Sequence, residues 1–219
     1  MRLVPSALVL AIALLSSSAP VDAQQPSFIV MPKGGFVVQA RPFQQQHLLV
    51  SDFQRIWKYE MDAAATYGIL IETPTPFKSL GVRLEASRAG RASIREVPGS
   101  TGPPTRDVSA KVNIASIAAV FQPERFCWGN VCPRLLGGGG VKSYDFEGNL
   151  LWDDIVDRFA DDQSPLTLQL GAGIVAYVSR LAIIAEITDY SNGIRFASRD
   201  QPTNRVHDIA FNLGAGLSF

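Results

Sequence analysis

Over most of its length the chain alternates, residue by residue, between an apolar side chain and a small or polar one. That period of two belongs to a strand with two unlike faces. The last segment is clearest: Ile209, Phe211, Leu213, Ala215, Leu217 and Phe219 share one face, against Asp208, Ala210, Asn212, Gly214, Gly216 and Ser218. From Leu166 to Val178 the pattern repeats, with Leu166, Leu168, Leu170, Ala172 and Ile174 opposing Thr167, Gln169, Gly171, Gly173 and Val175. Segments 65–72, 80–87, 107–120 and 181–188 alternate in the same way. In 107–120 the apolar face is Val108, Ala110, Val112, Ile114, Ala118 and Val120, against Asp107, Ser109, Lys111 and Asn113. A further strand covers 135–144, its phase hidden by the glycine run 137–140, and a first one lies within 28–40. Eight strands are therefore expected.

The connections alternate as well. Pro74-Thr75-Pro76, Ser179-Arg180 and the segment holding the two cysteines are short links, whereas 43–62, 90–105, 146–163 and 191–205 are long. Tight turns at one end and long loops at the other are the pattern of a transmembrane barrel. No apolar run after residue 23 reaches the roughly 20 residues of a spanning helix. Lipid offers no hydrogen-bond partner, so such a chain can cross a bilayer only as a closed sheet. The fold class expected is all-β, an eight-stranded antiparallel up-and-down transmembrane β-barrel.

Arg2 is the only charge before an apolar run from residue 3 to 15, and Val21-Asp22-Ala23 precedes Gln24. This reads as a cleaved secretory signal peptide over 1–23, leaving 24–219 as the barrel domain. The 20 basic and 20 acidic side chains cancel, which argues against a nucleic-acid partner, whose phosphates demand a basic excess. In an oxidising compartment Cys127 and Cys132 are expected to form a disulfide. With no His beside them they make a poor zinc site, and no cofactor is expected.

If the apolar faces turn to lipid, the polar faces place Glu72, Arg83, Glu85, Lys111, Gln169, Glu186 and Asn212 in the lumen. An eight-stranded barrel is just wide enough inside for side chains to fill it, so charges of both signs would pair and plug it. The second long loop is basic, with Arg88, Arg91, Arg95 and Arg106. The third is acidic, with Asp145, Glu147, Asp153, Asp154, Asp157, Asp161 and Asp162. These loops either pair across the rim or bind outward, arginines to lipopolysaccharide phosphates and carboxylates to divalent cations. The candidates for such binding are Arg88, Arg91, Arg95, Asp153, Asp154 and Asp157. A local alternative makes 149–159 a short helix, capped by Asn149 with Leu151, Ile155 and Phe159 on one side.

Catalysis finds little support. The only histidines are His47 and His207. His207-Asp208 resembles an oriented general base, yet no Ser stands at a motif spacing from it. The pair Leu170-Gly-Ala-Gly-Ile174 and Leu213-Gly-Ala-Gly-Leu217 lies within strands, where glycine serves lumen space or bending, not a nucleotide.

The N-terminal segment, the strand Gly137-Gly138-Gly139-Gly140-Val141-Lys142-Ser143-Tyr144-Asp145-Phe146 and a last strand ending in Phe219 together resemble the small bacterial outer-membrane β-barrel family of eight strands. The resemblance implies a monomer in the bacterial outer membrane, in contact with outer-membrane lipid and lipopolysaccharide. It also implies that Phe211, Leu213, Ala215, Leu217 and Phe219 form a signal for the outer-membrane assembly machinery. The function expected is non-enzymatic, structural or loop-mediated binding around a filled, narrow lumen. One alternative is a soluble exported lipocalin-like barrel with its apolar faces inward around an apolar ligand. Another is a lipid-modifying enzyme in the same barrel, which would need a triad.

Overall fold

Alternation of this kind leaves each strand with bare backbone edges, and the structure satisfies them by closing the sheet on itself. The structure, a computed structural model, describes residues 28–40, 43–48, 54–98, 105–152, 155–158, 162–194 and 204–219. Its strands are β1 (Ile29–Gln39), β2 (Phe43–Leu48), β3 (Gln54–Met61), β4 (Ala64–Pro74), β5 (Leu80–Glu96), β6 (Thr105–Phe121), β7 (Val131–Trp152), β8 (Ile155–Arg158), β9 (Leu166–Val178), β10 (Leu181–Ile194) and β11 (Asn204–Ser218). Eight of them, β1, β4, β5, β6, β7, β9, β10 and β11, run around the barrel in chain order. Each is antiparallel to its neighbours, and β1 pairs with β11 to shut the wall. Among the described residues, no helix is long and apolar enough to cross a membrane.

The two ends differ. At one, β4–β5, β6–β7 and β9–β10 are joined by tight links, helped by Ser79 and Ser179 in the left-handed region at φ 64° and 56°. The β6–β7 link ends in a hairpin in which Trp128 and Val131 pair around Gly129-Asn130. Gly129 has φ 58° there, a conformation that glycine adopts without steric cost. At the other end, the outer end in a barrel of this kind, the wall is uneven. β5 and β6 have 17 residues each and β7 has 22, whereas β1 and β4 have 11 each. The high side is built higher still. The β2–β3 hairpin joins the outer end of β5, Tyr59 opposite Glu96, and β8 folds back on β7.

The short helix weighed as a local alternative over 149–159 is therefore not formed among the described residues. Its backbone is claimed by sheet: Asn149 and Leu150 pair with Arg106 and Thr105 of β6, and Leu151 and Trp152 pair with Val156 and Ile155 of β8. A ladder on both sides of β7 outweighs one capping residue and three spaced apolar positions. Phe159 lies outside the described residues.

Side chains sort by face as the alternation requires. On β9 and β11, Leu166, Leu168, Leu170, Leu213, Leu217 and Phe219 are exposed on the outside, Leu166 at 81%. Gln169, Thr167, Asn212 and Asp208 are buried inside. An apolar exterior of this extent is what lipid solvates, so the apolar-inward lipocalin arrangement does not describe the molecule. β6 departs from the expectation. Its apolar set, Val108 to Val120, faces inward, and Lys111, expected in the lumen, faces out. The reason is that β6 is apolar on both faces within the bilayer, with Ala115, Ile117, Ala119 and Phe121 outside. Asn113 and Lys111 lie above that belt, where an outward polar residue meets water.

Inside, three layers follow one another. Near the short turns Ile29, Met31, Leu70, Val175 and Ile184 form an apolar floor. Gly214 belongs to it: a Cβ there would stand 2.7 Å from the Met31 sulfur. A charged layer lies above the floor. Towards the outer end the bore becomes apolar again, filled by Val37, Met61, Ile94, Val112, Phe146 and Val206 among others.

Candidate functional site

Eight Lys, Arg, Asp or Glu residues with less than a tenth of their surface exposed are found among the described residues: Lys33, Arg83, Arg134 and Lys142 against Glu72, Glu85, Glu186 and Asp208. The signs balance, as burial demands, because an unpaired charge in this environment costs several kcal/mol or more. Arg83 is the hub. Projecting from β5, it reaches β10 on the opposite wall, donating from Nη1 and Nη2 to the two oxygens of Glu186 at 2.6 and 2.5 Å. Its Nε donates to Glu72 at 2.7 Å. Arg134 of β7 donates to the same Glu72 oxygen. Lys33 of β1 donates to Glu85 at 2.5 Å, and the Tyr190 hydroxyl donates to that oxygen at 2.6 Å. All of these links except Arg83–Glu72, which joins neighbouring strands at one register position, run between strands that are not neighbours, so paired charges close the lumen.

A second group sits further out. Lys142 pairs with Asp208, and the Tyr144 hydroxyl bonds to Asp208 at 2.9 Å and Asn192 at 3.1 Å. Thus Glu72, Arg83, Glu85 and Glu186 come together inside, while Lys111 does not join them. Sequence reasoning missed Lys33, Arg134 and Lys142. For Arg134 and Lys142 a signal existed: both are even-numbered, opposite the odd-numbered Leu135 and Val141 that flank the glycine run.

On the outer rim the basic and acidic strands meet. Arg91 and Lys111 both pair with Glu147, joining β5, β6 and β7 on the outside. The Lys111 hydrogen bond, with the charge of Arg91 beside it, holds the Glu147 carboxyl below its usual range. Arg95 pairs instead with Glu60 at 2.7 Å and Asp62 at 3.0 Å. Arg88 is exposed, and among the described residues no carboxylate pairs with it. Asp153 and Asp154 lie outside the described residues, and Asp157 is on β8. Among the described residues no group of three or more His, Cys, Asp or Glu side chains is placed to hold a metal ion.

His207 and Asp208 stand on opposite faces of β11, so they form no dyad. His207 faces outward and bonds through Nδ1 to Asp189 of β10 at 3.0 Å. Cys127 and Cys132 form the expected disulfide. It closes the Gly129 hairpin, and Cys132 is buried in the apolar floor with Cys127 packed against it.

No protein-family model matches the chain, and no curated protein sequence does. Solved structures do match in shape. Neisserial surface protein A aligns with 88% of this chain and 97% of its own, at 10% identity and a TM-score of 0.54. AlkL, an outer membrane protein determined in lipid bilayers, aligns with 92% of this chain and 94% of its own, at 11% identity and 0.53. OprG, an outer membrane protein of Pseudomonas aeruginosa, aligns with 89% and 97%, at 15% identity and 0.51. A closed, ion-paired bore, an apolar exterior and these likenesses agree: the chain has the fold of the small eight-stranded outer-membrane β-barrels.

Proposed function

We propose that the chain is a non-enzymatic, monomeric protein of the bacterial outer membrane whose working surface is its outer wall and rim rather than its bore. The observation that carries this is the Arg83–Glu186 pair, which with its partners spans the lumen from wall to wall. A barrel plugged in this way has its lipid-facing belt and its tall outer rim left for contact. The partners in this reading are outer-membrane lipid and lipopolysaccharide, whose phosphates suit exposed guanidinium groups. Export depends on cleavage after Ala23. Assembly depends on the outward face of the last strand, Phe211, Leu213, Leu217 and Phe219, which lies open to a partner on the barrel exterior.

The test is electrophoresis of the outer-membrane fraction from cells expressing the full chain, boiled and unboiled, with N-terminal sequencing of the band. The expected result is a band whose mobility shifts on boiling and whose first residue is Gln24. A soluble periplasmic product with no shift would overturn the reading.

A further inference from the structure

On the high side of the barrel the change from apolar to polar exterior takes place across one row. Tyr67, Arg88, Asn113 and Ser143 are register partners on β4, β5, β6 and β7, so their side chains stand side by side on the outside. The next row towards the bilayer centre is Ile69, Ala86, Ala115 and Val141. Its two middle members are only alanines, and between the bulkier side chains around them lies a groove of about 550 Å³ on the lipid-facing wall. Arg88 is thus placed directly above an apolar hollow.

The charges on this flank leave a cation over. Facing out from β5, β6 and β7 near the row are Arg88, Arg91 and Lys111 against Asp145 and Glu147, and Arg91 and Lys111 are engaged by Glu147. An arginine on a lipid-facing wall is tolerated where its stem lies along hydrocarbon and its head reaches the headgroups. The opposite flank supplies a contrast within the same molecule. A groove of about 590 Å³ lies there over Ala172 and Ala185, but the polar pair above it is Asp189 with His207. On that flank the row directly above the groove carries the carboxylate of Asp189 rather than a guanidinium, and the exposed Arg205 lies further out on β11.

We propose that the β4–β7 flank is a binding site for a phosphorylated, acylated lipid of the outer leaflet, with a phosphate on Arg88 and an acyl chain in the groove over Ala86 and Ala115. The proposal rests on the outer-membrane reading above and adds to it a defined site and ligand class. Arg88 supplies parallel N–H donors that match two oxygens of one phosphate. The chain beneath fills a hollow that the protein's own side chains leave open.

The experiment is a native mass-spectrometric titration of the protein purified from membranes, using bis-phosphorylated lipid A, its dephosphorylated form and phosphatidylcholine. A one-to-one complex is expected with the phosphorylated form. Arg88→Gln should weaken it by about ten-fold or more, as should removal of the phosphates. Filling the groove with Ala86→Leu and Ala115→Leu should weaken it as well. Ala172→Leu and Ala185→Leu on the other flank should leave it unchanged. Should the filled variant not show the boiling shift of a folded barrel, Arg88→Gln and the dephosphorylated ligand still decide. Binding of lipid A that is indifferent to Arg88 and to the phosphates overturns the site and leaves the outer-membrane reading standing. Equal binding of phosphatidylcholine, or none of lipid A, also overturns the site. Absence of a boiling shift from the parent protein in the membrane fraction removes both.

Discussion

Arg83 donates to two carboxylates and stands 4.0 Å from a third, Glu85, inside a bore where its side chain is 1% exposed. Removing one partner of a buried, hydrogen-bonded pair leaves the others uncompensated, at a cost of about 3–5 kcal/mol. Arg83→Ala should therefore lower the unfolding free energy obtained by urea titration of the barrel folded in lipid vesicles by an amount in that range. Arg95→Ala removes two contacts of an exposed side chain and should cost less than about 1 kcal/mol. Glu147 makes a different prediction. Its carboxyl is held down chiefly by the Lys111 hydrogen bond and then by nearby positive charge. A carboxylate lowered on folding contributes stability above its unfolded value and loses it as the pH falls through the folded one. Acid should thus release Glu147 and loosen the β5–β7 rim below the ordinary glutamate range. Carboxyl-carbon NMR should place its titration midpoint below an ordinary glutamate, and Lys111→Ala should move it up. An unmoved midpoint would remove Lys111 from that role.

Among the elements, the β6–β7 link is the one with a covalent closure. Its ring is short, so the chain-entropy gain from Cys127–Cys132 is modest, about 2 kcal/mol. Replacing both cysteines by Ser should lower stability by that order in a urea series while the boiling shift persists. Loss of the shift would mean that the hairpin is needed for assembly. How far such elements could be read from sequence depends on what each second residue says. β9 and β11 were legible because Leu alternates with Gly, Thr or Gln, and only one phase serves a lipid-facing wall. β7 was less so, because Gly137 to Gly140 carry no side chain to mark a face, and only counting through that run from Leu135 to Val141 gives Arg134 and Lys142 their side. β6 was misread because it is apolar on both sides, so the inward turn of Val112 and Ile114 follows from its neighbours rather than from its own pattern. The lumen set of Glu72, Arg83, Glu85 and Glu186 was readable from strand faces. Arg88 was a candidate on charge alone. Its position over a groove depends on cross-strand register, which a single strand does not encode.

At the scale of the whole molecule the interior is neutral and crossed by side chains from wall to wall. Arg83 ties β5 to β10, Arg134 ties β7 to β4, and Lys142 ties β7 to β11. Reconstituted in a planar bilayer, the protein should give no steady porin-like current at neutral pH. A large ohmic current would show that the ionic layer does not seal the bore. The outside is less even than the inside. On β7 the apolar exterior ends near Val141, yet the strand runs on to Trp152, whereas β1 ends at Gln39, just past the outward Val38. At roughly 3.3 Å per residue along a tilted strand, β7 stands well clear of its own apolar belt, whereas β1 itself stops close to it. Among the described strands, β5, β6 and β7 therefore form a projecting edge that anything approaching from outside meets first.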